Sequence, residues 1–284
     1  MNMTISRKEI YLSLWYLMLA SIGVMMIYPF LWLVGSSFKT TFEIFSDPSF
    51  IPKNPSLNGY VNGWKAAGGA TFGTFFRNTY TYVFVKVLVT VFAAVITSYG
   101  FSRFDFFLKK QLMAVLIATL LFPATVILVP SYLLFNKIGW VDSYLPLVVP
   151  SLFAGDTFFV FLLIQFFRTL PRDMDEAAMI DGCSAIRRLV SILIPLLKPA
   201  IITVILFQFI WTGNEFLGPM IYISSEYNFP VAVGLKLSLD GAAGVIAWEN
   251  TMAMSVLAII PSLIAFICAQ RHFVEGISTS GLKG

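Results

Sequence analysis

The sequence predicts an all-α, polytopic membrane protein with six transmembrane helices, and three observations carry that prediction. Hydrophobic residues make up 58% of the 284 positions and charged residues only 12%, against about 45–50% and about 25% in soluble domains. Mean hydropathy is +0.82, more apolar side chain than a soluble chain of this length could hide. Six windows reach the roughly 20 apolar residues that a helix needs to cross a bilayer.

The first window, 12–34, follows Arg7 and Lys8 as a secretory signal would. Its apolar run is too long for such a signal and no A-x-A site follows, so a retained helix is expected. The second window is 80–99. The third, 112–135, contains Pro123 and Pro130, and the fourth, 147–167, precedes Pro171. The fifth, 199–220, opens on Pro199, and the sixth is 252–270. Between them lie two sizeable connections, 36–78 and 221–251, neither long enough to be a domain. One membrane domain over 1–284 is expected.

Lys and Arg bias the orientation toward a basic cytoplasmic side. With the N-terminus inside, the inner segments hold Arg7, Lys8, Arg103, Lys109, Lys110, Arg168, Arg172, Arg187, Arg188, Lys198, Arg271 and Lys283. The outer segments hold Lys39, Lys53, Lys65, Arg77, Lys137 and Lys236, and Lys86 falls within a span. Six spans with both termini cytoplasmic follow.

One stretch departs from the apolar background. Nine charged residues fall between Arg168 and Lys198: Arg168, Arg172, Asp173, Asp175, Glu176, Asp181, Arg187, Arg188 and Lys198. Pro171 stops the fourth span, Asp173 with Glu176 reads as a capping box, and acids there suit the positive end of a helix. Gly182 offers the left-handed end of that helix. Ser184 caps a second, amphipathic helix carrying Ile186, Leu189, Val190 and Ile192 along the membrane surface. Pro195 and Pro199 redirect the chain into the fifth span. By shape alone this is a solvated loop, but outward-facing alanines suit close approach by another protein.

Glu176, Ala177, Ala178, Gly182, Ile192 and Pro195 match the E-A-A signature of importer permeases in the ATP-binding-cassette class, with Ile194 where the family usually has Leu. "FLLIQFFRTLP", "WTGNEFLGP", "AQRHFVEGISTSGLKG" and the outer "FIPKNPSLNGY" and "FFRNT" extend the likeness over nearly the whole chain. The sequence thus resembles the smaller permease of maltose-type carbohydrate importers. The resemblance implies a type I importer permease fold and a bacterial inner-membrane location. It makes 168–198, with Asp181 beside Gly182, the coupling loop that docks on an ATPase. It also implies a second homologous permease, two ATPase subunits and an extracytoplasmic sugar-binding protein as partners. No nucleic-acid partner is expected.

No G-x-x-x-x-G-K-[ST] phosphate loop occurs in the sequence. The chain is therefore expected not to be an enzyme and to hold no cofactor, with ATP and Mg in the partner ATPases. Cys183 and Cys268 are too few for a metal or disulfide framework, so no metal site is expected. The alternative class is an ion-coupled secondary transporter or channel, which usually holds several intramembrane ionisable groups. Here only Lys86, Asp156 and Glu215 lie clearly inside spans, and the one histidine, His272, falls at a span end. All three sit roughly 6–14 Å below the outer surface at 1.5 Å per residue. A charge facing lipid is costly, so they are candidates to line the translocation path, with Asn214 adding hydrogen-bonding capacity for hydroxyl-rich ligands. Snorkelling to the outer headgroups is an equal reading for Lys86. By resemblance the outer connection 221–251 meets the binding protein through Tyr222, Tyr227 and Trp248. The resemblance also implies that the tail from Val274, with Gly281 and Lys283, inserts between the ATPases, the other reading being a frayed terminus.

Overall fold

With no water in a bilayer core, a spanning backbone must satisfy its own hydrogen bonds, which selects helices. A computed structural model of the protein describes residues 7–65, 70–240 and 246–281. Among them there are helices and turns and no named strand. Four helices are long and apolar enough to cross a membrane: Tyr11–Ser36, Phe72–Arg103, Leu145–Thr169 and Trp248–Gln270. Two further pairs, Lys109–Leu121 with Thr125–Lys137 and Ala185–Leu196 with Lys198–Gly213, are bent by more than 40° at a short break. Among the described residues the count by length and composition is therefore four spans, or up to six if each bent pair is one.

The chain divides into two compact units. The first comprises Met1–Phe72 and Leu235–Ile259. Its helix α1 (Arg7–Ser36) is exposed along almost its whole apolar length, as a helix surrounded by lipid would be. Two short helices follow, α2 (Thr41–Ser46) and α3 (Asn58–Gly63). Thr40 caps α2 through Glu43 N–H at 3.3 Å. Lys39 is 2% exposed, and its ammonium satisfies itself on the carbonyls of Asp47 (2.9 Å) and Ser49. Gly59 and Gly63 bring α3 against the backbone at Glu249 and Asn250, where a Cβ would collide.

The second unit is Gly73–Gly234 with Ile260–Gly284. It is organised on α4 (Phe72–Arg103), a single helix of 32 residues. Then come α5 (Lys109–Leu121), α6 (Ala124–Lys137), α7 (Leu145–Leu152), α8 (Thr157–Thr169) and α9 (Asp173–Ile180). After these follow α10 (Ala185–Arg188), a π-turn at Leu189–Leu193, α11 (Ile194–Leu196), α12 (Lys198–Gly213) and α13 (Leu217–Tyr222). Helices α14 (Val231–Asp240) and α15 (Trp248–Gly281), each with residues in both units, complete the list. Phe159, Val160, Leu163, Ile164 and Phe167 recur on one face of α8 at helical spacing. They bury against Ala94, Val95 and Tyr99 of α4 and Leu193, Leu197, Ala200 and Val204.

Three expected spans are interrupted. The third breaks around Pro123, whose ring disfavours helix in the residue before it, whereas Pro130 is absorbed inside α6. The fourth breaks at 153–156 and the fifth at 214–216. The π-turn precedes Pro195, which lacks the N–H an α-helix would use there. Ile194 N–H bonds Leu189 carbonyl across five residues instead. The last helix runs on to Gly281, beyond the expected end at 270.

Candidate functional site

A cavity of about 440 Å³ lies within the second unit. On α4 the residues Tyr82, Lys86 and Thr90 are spaced four apart and so share one face. They meet acids held in the two helix breaks. Tyr82 Oη donates to Glu215 Oε2 at 2.7 Å, and Lys86 Nζ stands 3.4 Å from the same oxygen. Thr90 Oγ1 donates to Asp156 Oδ2 at 2.6 Å, and Gln208 Nε2 approaches that oxygen at 3.4 Å. Lys86 Nζ also lies 5.7 Å from the Tyr82 ring centroid, within cation–π range.

Irregular backbone at membrane depth is tolerated where it is buried in protein or lines a water-filled cavity, and both breaks contribute to this wall. Gly218 matters here, because a Cβ would run into the Glu215 carboxylate and Leu147. The lining carries one ammonium, two carboxylates and the hydroxyl-bearing residues Thr125, Ser131, Ser151 and Tyr222 between apolar residues such as Leu147 and Leu217. Lys86 is matched by Glu215, whereas the described bonds to Asp156 come from neutral donors. The arrangement suits a hydrated polar ligand approached by hydroxyl and carboxylate groups.

Of the four residues expected on the path, Lys86, Asp156 and Glu215 are brought together here. Lys86 points to Glu215 with its side chain 13% exposed, so it is paired inside the unit rather than snorkelling. Asn214 does not join them: its amide donates to Ile210 carbonyl at 2.7 Å, at the end of α12. Tyr82, Thr90 and Gln208 were missed. The four-residue spacing of Tyr82, Lys86 and Thr90 in an otherwise apolar helix was a usable signal. Tyr222, expected at the outer surface, is 7% exposed and lines the cavity. Tyr227 is 60% exposed. Trp248 is half-buried, its ring edge-on to Phe45 and its backbone N–H donating to Thr41 Oγ1 at 3.1 Å.

The charged loop takes the expected helix–turn–helix form with two changes. Helix α9 starts at Asp173, preceded by Arg172 with no side-chain cap, so the capping box is absent. Its alanines divide: Ala177 is exposed, but Ala178 is buried at 5%. Asp175 also turns inward, its Oδ2 2.8 Å from Arg103 Nε at the end of α4. Arg103 Nη2 donates to Leu170 carbonyl at 3.0 Å, and Tyr99 Oη to Ala185 carbonyl at 3.0 Å. Gly182 has φ +76. Cys183 N–H reaches Ala178 carbonyl (2.9 Å) and Gly182 N–H reaches Met179 carbonyl (3.0 Å), the paired closure that left-handed glycine permits. Ser184 caps α10 through Arg187 N–H at 3.4 Å. Glu176, Asp181, Gly182 and Pro195 are exposed, and Ile192 is half-buried. In the tail, Gly281 is the last residue of α15, and Lys283 lies outside the described residues.

Residues 86–279 match the family described as "Binding-protein-dependent transport system inner membrane component". The chain is 30% identical over 277 residues to "Putative ABC transporter permease protein ORF2" of Caldicellulosiruptor sp. (strain Rt8B.4), covering 95% of this chain and 97% of that protein. It is 29% identical over 269 residues to "Trehalose/maltose transport system permease protein MalG" of Thermococcus litoralis, covering 92% and 93%. Its fold matches a chain of a bacterial ABC transporter involved in the import of the acidic polysaccharide alginate. That match has TM-score 0.83 at 22% identity and covers 96% of this chain and 100% of the other. Taken with the helical membrane fold and the polar cavity at its helix breaks, these matches decide the family: the chain belongs to the binding-protein-dependent transport system inner membrane components.

Proposed function

We propose that the chain is a single permease unit with six spans, in an ATP-driven importer of sugars or oligosaccharides. Each bent pair then counts as one span, and both termini lie in the cytoplasm. The observation that carries this reading is the polar cavity formed where α8 and α13 are broken from their preceding helices, in a chain of this family. Relatives named for trehalose/maltose and for sulfoquinovosyl glycerol support a carbohydrate substrate. A second permease completes the path, a sugar-binding protein delivers the substrate, and two ATPases supply ATP hydrolysis with Mg. The binding protein meets the exposed Tyr227 and the neighbourhood of Trp248. The ion-coupled alternative finds no support in the relatives.

In this reading α9 and the turn at Gly182 form the plug that enters an ATPase cleft, with Glu176, Ala177 and Asp181 on its outer side and Ile192 and Pro195 in the helices behind it. Because Ala178 packs inward, the plug surface is tested at Ala177. In the assembled complex in proteoliposomes, Ala177→Trp is expected to leave the permease in the membrane. It should abolish sugar uptake and the stimulation of ATP hydrolysis by loaded binding protein. Normal uptake by that variant would remove the coupling assignment. Deleting residues 277–284, with Gly281 and Lys283, is expected to lower retention of the ATPases in the same preparation. Full retention with normal uptake would refute a docking tail.

A further inference from the structure

A second, smaller pocket of about 170 Å³ lies where α4 ends, α5 begins and α8 ends. It is separate from the larger cavity, and Arg168, Leu170 and Arg172 of its lining belong to the start of the charged loop. We propose that it binds the phosphate of an anionic lipid headgroup.

Four cations line it: Arg103, Lys109, Arg168 and Arg172. Arg103 is engaged by Asp175 and by Leu170 carbonyl. Lys109 reaches Phe104 carbonyl at 2.7 Å and Asp105 at 3.1 Å, but the Asp105 side chain is 92% exposed and weakly held. Among the described residues Arg168 and Arg172 form no ion pair. Positive charge is thus gathered in one hollow with too little negative charge to balance it.

A second observation is independent of charge. Ser102 lines the same pocket, is 5% exposed, and its Oγ has no hydrogen-bond partner. A hydroxyl removed from water and left unpaired is costly. A phosphate oxygen would accept its proton while taking charge-assisted bonds from the guanidinium groups, the stronger kind. The space is several times the ~30 Å³ share of a water molecule, enough for one tetrahedral anion with its solvent.

Position selects a lipid as the source. The candidate spans Phe72–Arg103 and Leu145–Thr169 both end at this pocket, which is the depth of the headgroups. The adjoining turn carries Phe106, Phe107 and Leu108 exposed at 40%, 88% and 44%. Apolar side chains beside the cations suit acyl chains, whereas free phosphate would gain nothing from them. Basic pockets between membrane helices are recognised lipid sites.

The test uses the assembled importer in nanodiscs of phosphatidylglycerol or of phosphatidylcholine, with retained lipid counted by native mass spectrometry after detergent extraction. The wild type is expected to retain phosphatidylglycerol in preference to phosphatidylcholine. Lys109→Gln with Arg168→Gln should weaken that retention about 25-fold, at about five-fold for each cation removed. Ser102→Ala should weaken it less, and the charge-keeping exchange Lys109→Arg with Arg168→Lys should restore it. Retention indifferent to these variants would overturn the proposal. So would displacement of the lipid by inorganic phosphate with no preference between the two bilayers, which would mark a free-anion site. Loss of the ATPases from Lys109→Gln/Arg168→Gln with lipid retention intact would assign the pocket to a protein carboxylate and overturn it equally.

Discussion

Glu215 receives both a tyrosine hydroxyl and a lysine ammonium on one oxygen, so each partner depends on the others for its place in a partly dry cavity. Deleting one member of such a pair strands the other, whereas deleting both can be nearly neutral. Lys86→Met or Glu215→Gln alone should lower thermal stability in detergent by roughly 1–3 kcal/mol. The double variant should fall by less than the worse single. Additive losses would show that the pair does not act as a unit. At Gly182 the surroundings are open, with nothing within 4 Å of the place a Cβ would occupy, and the constraint is the positive φ alone. Gly182→Ala should therefore cost roughly 1–2 kcal/mol of local stability, and Gly182→Asn less, read as hydrogen exchange of the neighbouring Cys183 amide. Equal exchange in the wild type and Gly182→Ala would contradict this. That Lys86, Asp156 and Glu215 share one cavity and that Gly182 closes a helix with positive φ was legible in the sequence, because a charge in lipid, or a glycine after a helix, has few structural alternatives. Asn214 misled because the same amide that could serve a ligand also serves the end of its own helix. Ala178 misled because helical phase alone does not say which of two adjacent alanines faces the protein.

Helix identity was easier to read than helix continuity. A run of apolar residues predicts a span, but the breaks at 153–156 and 214–216 contain no proline, and N–H groups within them turn back to local carbonyls such as Pro150, Ser151, Ile210 and Thr212. A third connection that composition did not announce is the clasp at Asp142. This residue adopts φ 61 and accepts Ser225 Oγ together with the N–H groups of Ser224 and Ser225. The Ser225 hydroxyl foremost, and then the two amides, hold its carboxyl below the ordinary aspartate range. A carboxyl whose folded pKa is depressed stabilises the fold above its unfolded pKa, about 3.9. That stability is lost as pH falls through the lower folded value. Exchange of the Ser224 and Ser225 amides should thus be unchanged from neutrality to about pH 4 and accelerate below it, after correction for intrinsic exchange. Ser225→Ala should accelerate it at every pH. A transition near neutrality would point to a different group.

At the scale of the whole molecule, the two natural cysteines provide a topology test. Cys183 lies in the charged loop and is half-buried, while Cys268 is exposed within an apolar helix. With Cys268→Ala as background, a membrane-impermeant thiol reagent should label Cys183 in inverted vesicles and not in right-side-out ones. The opposite pattern would reverse the proposed orientation. The charged loop and the cavity are joined by α4, whose 32 residues contain no proline and extend about 48 Å at 1.5 Å per residue. About midway along it presents Tyr82, Lys86 and Thr90 to the acids in the breaks, and at its C-terminal end Tyr99 and Arg103 hold the loop. A common strut makes influence between its ends run both ways. If seating the loop on an ATPase alters the affinity of the cavity by some factor, occupation of the cavity must alter the ATPase's affinity for the loop by the same factor.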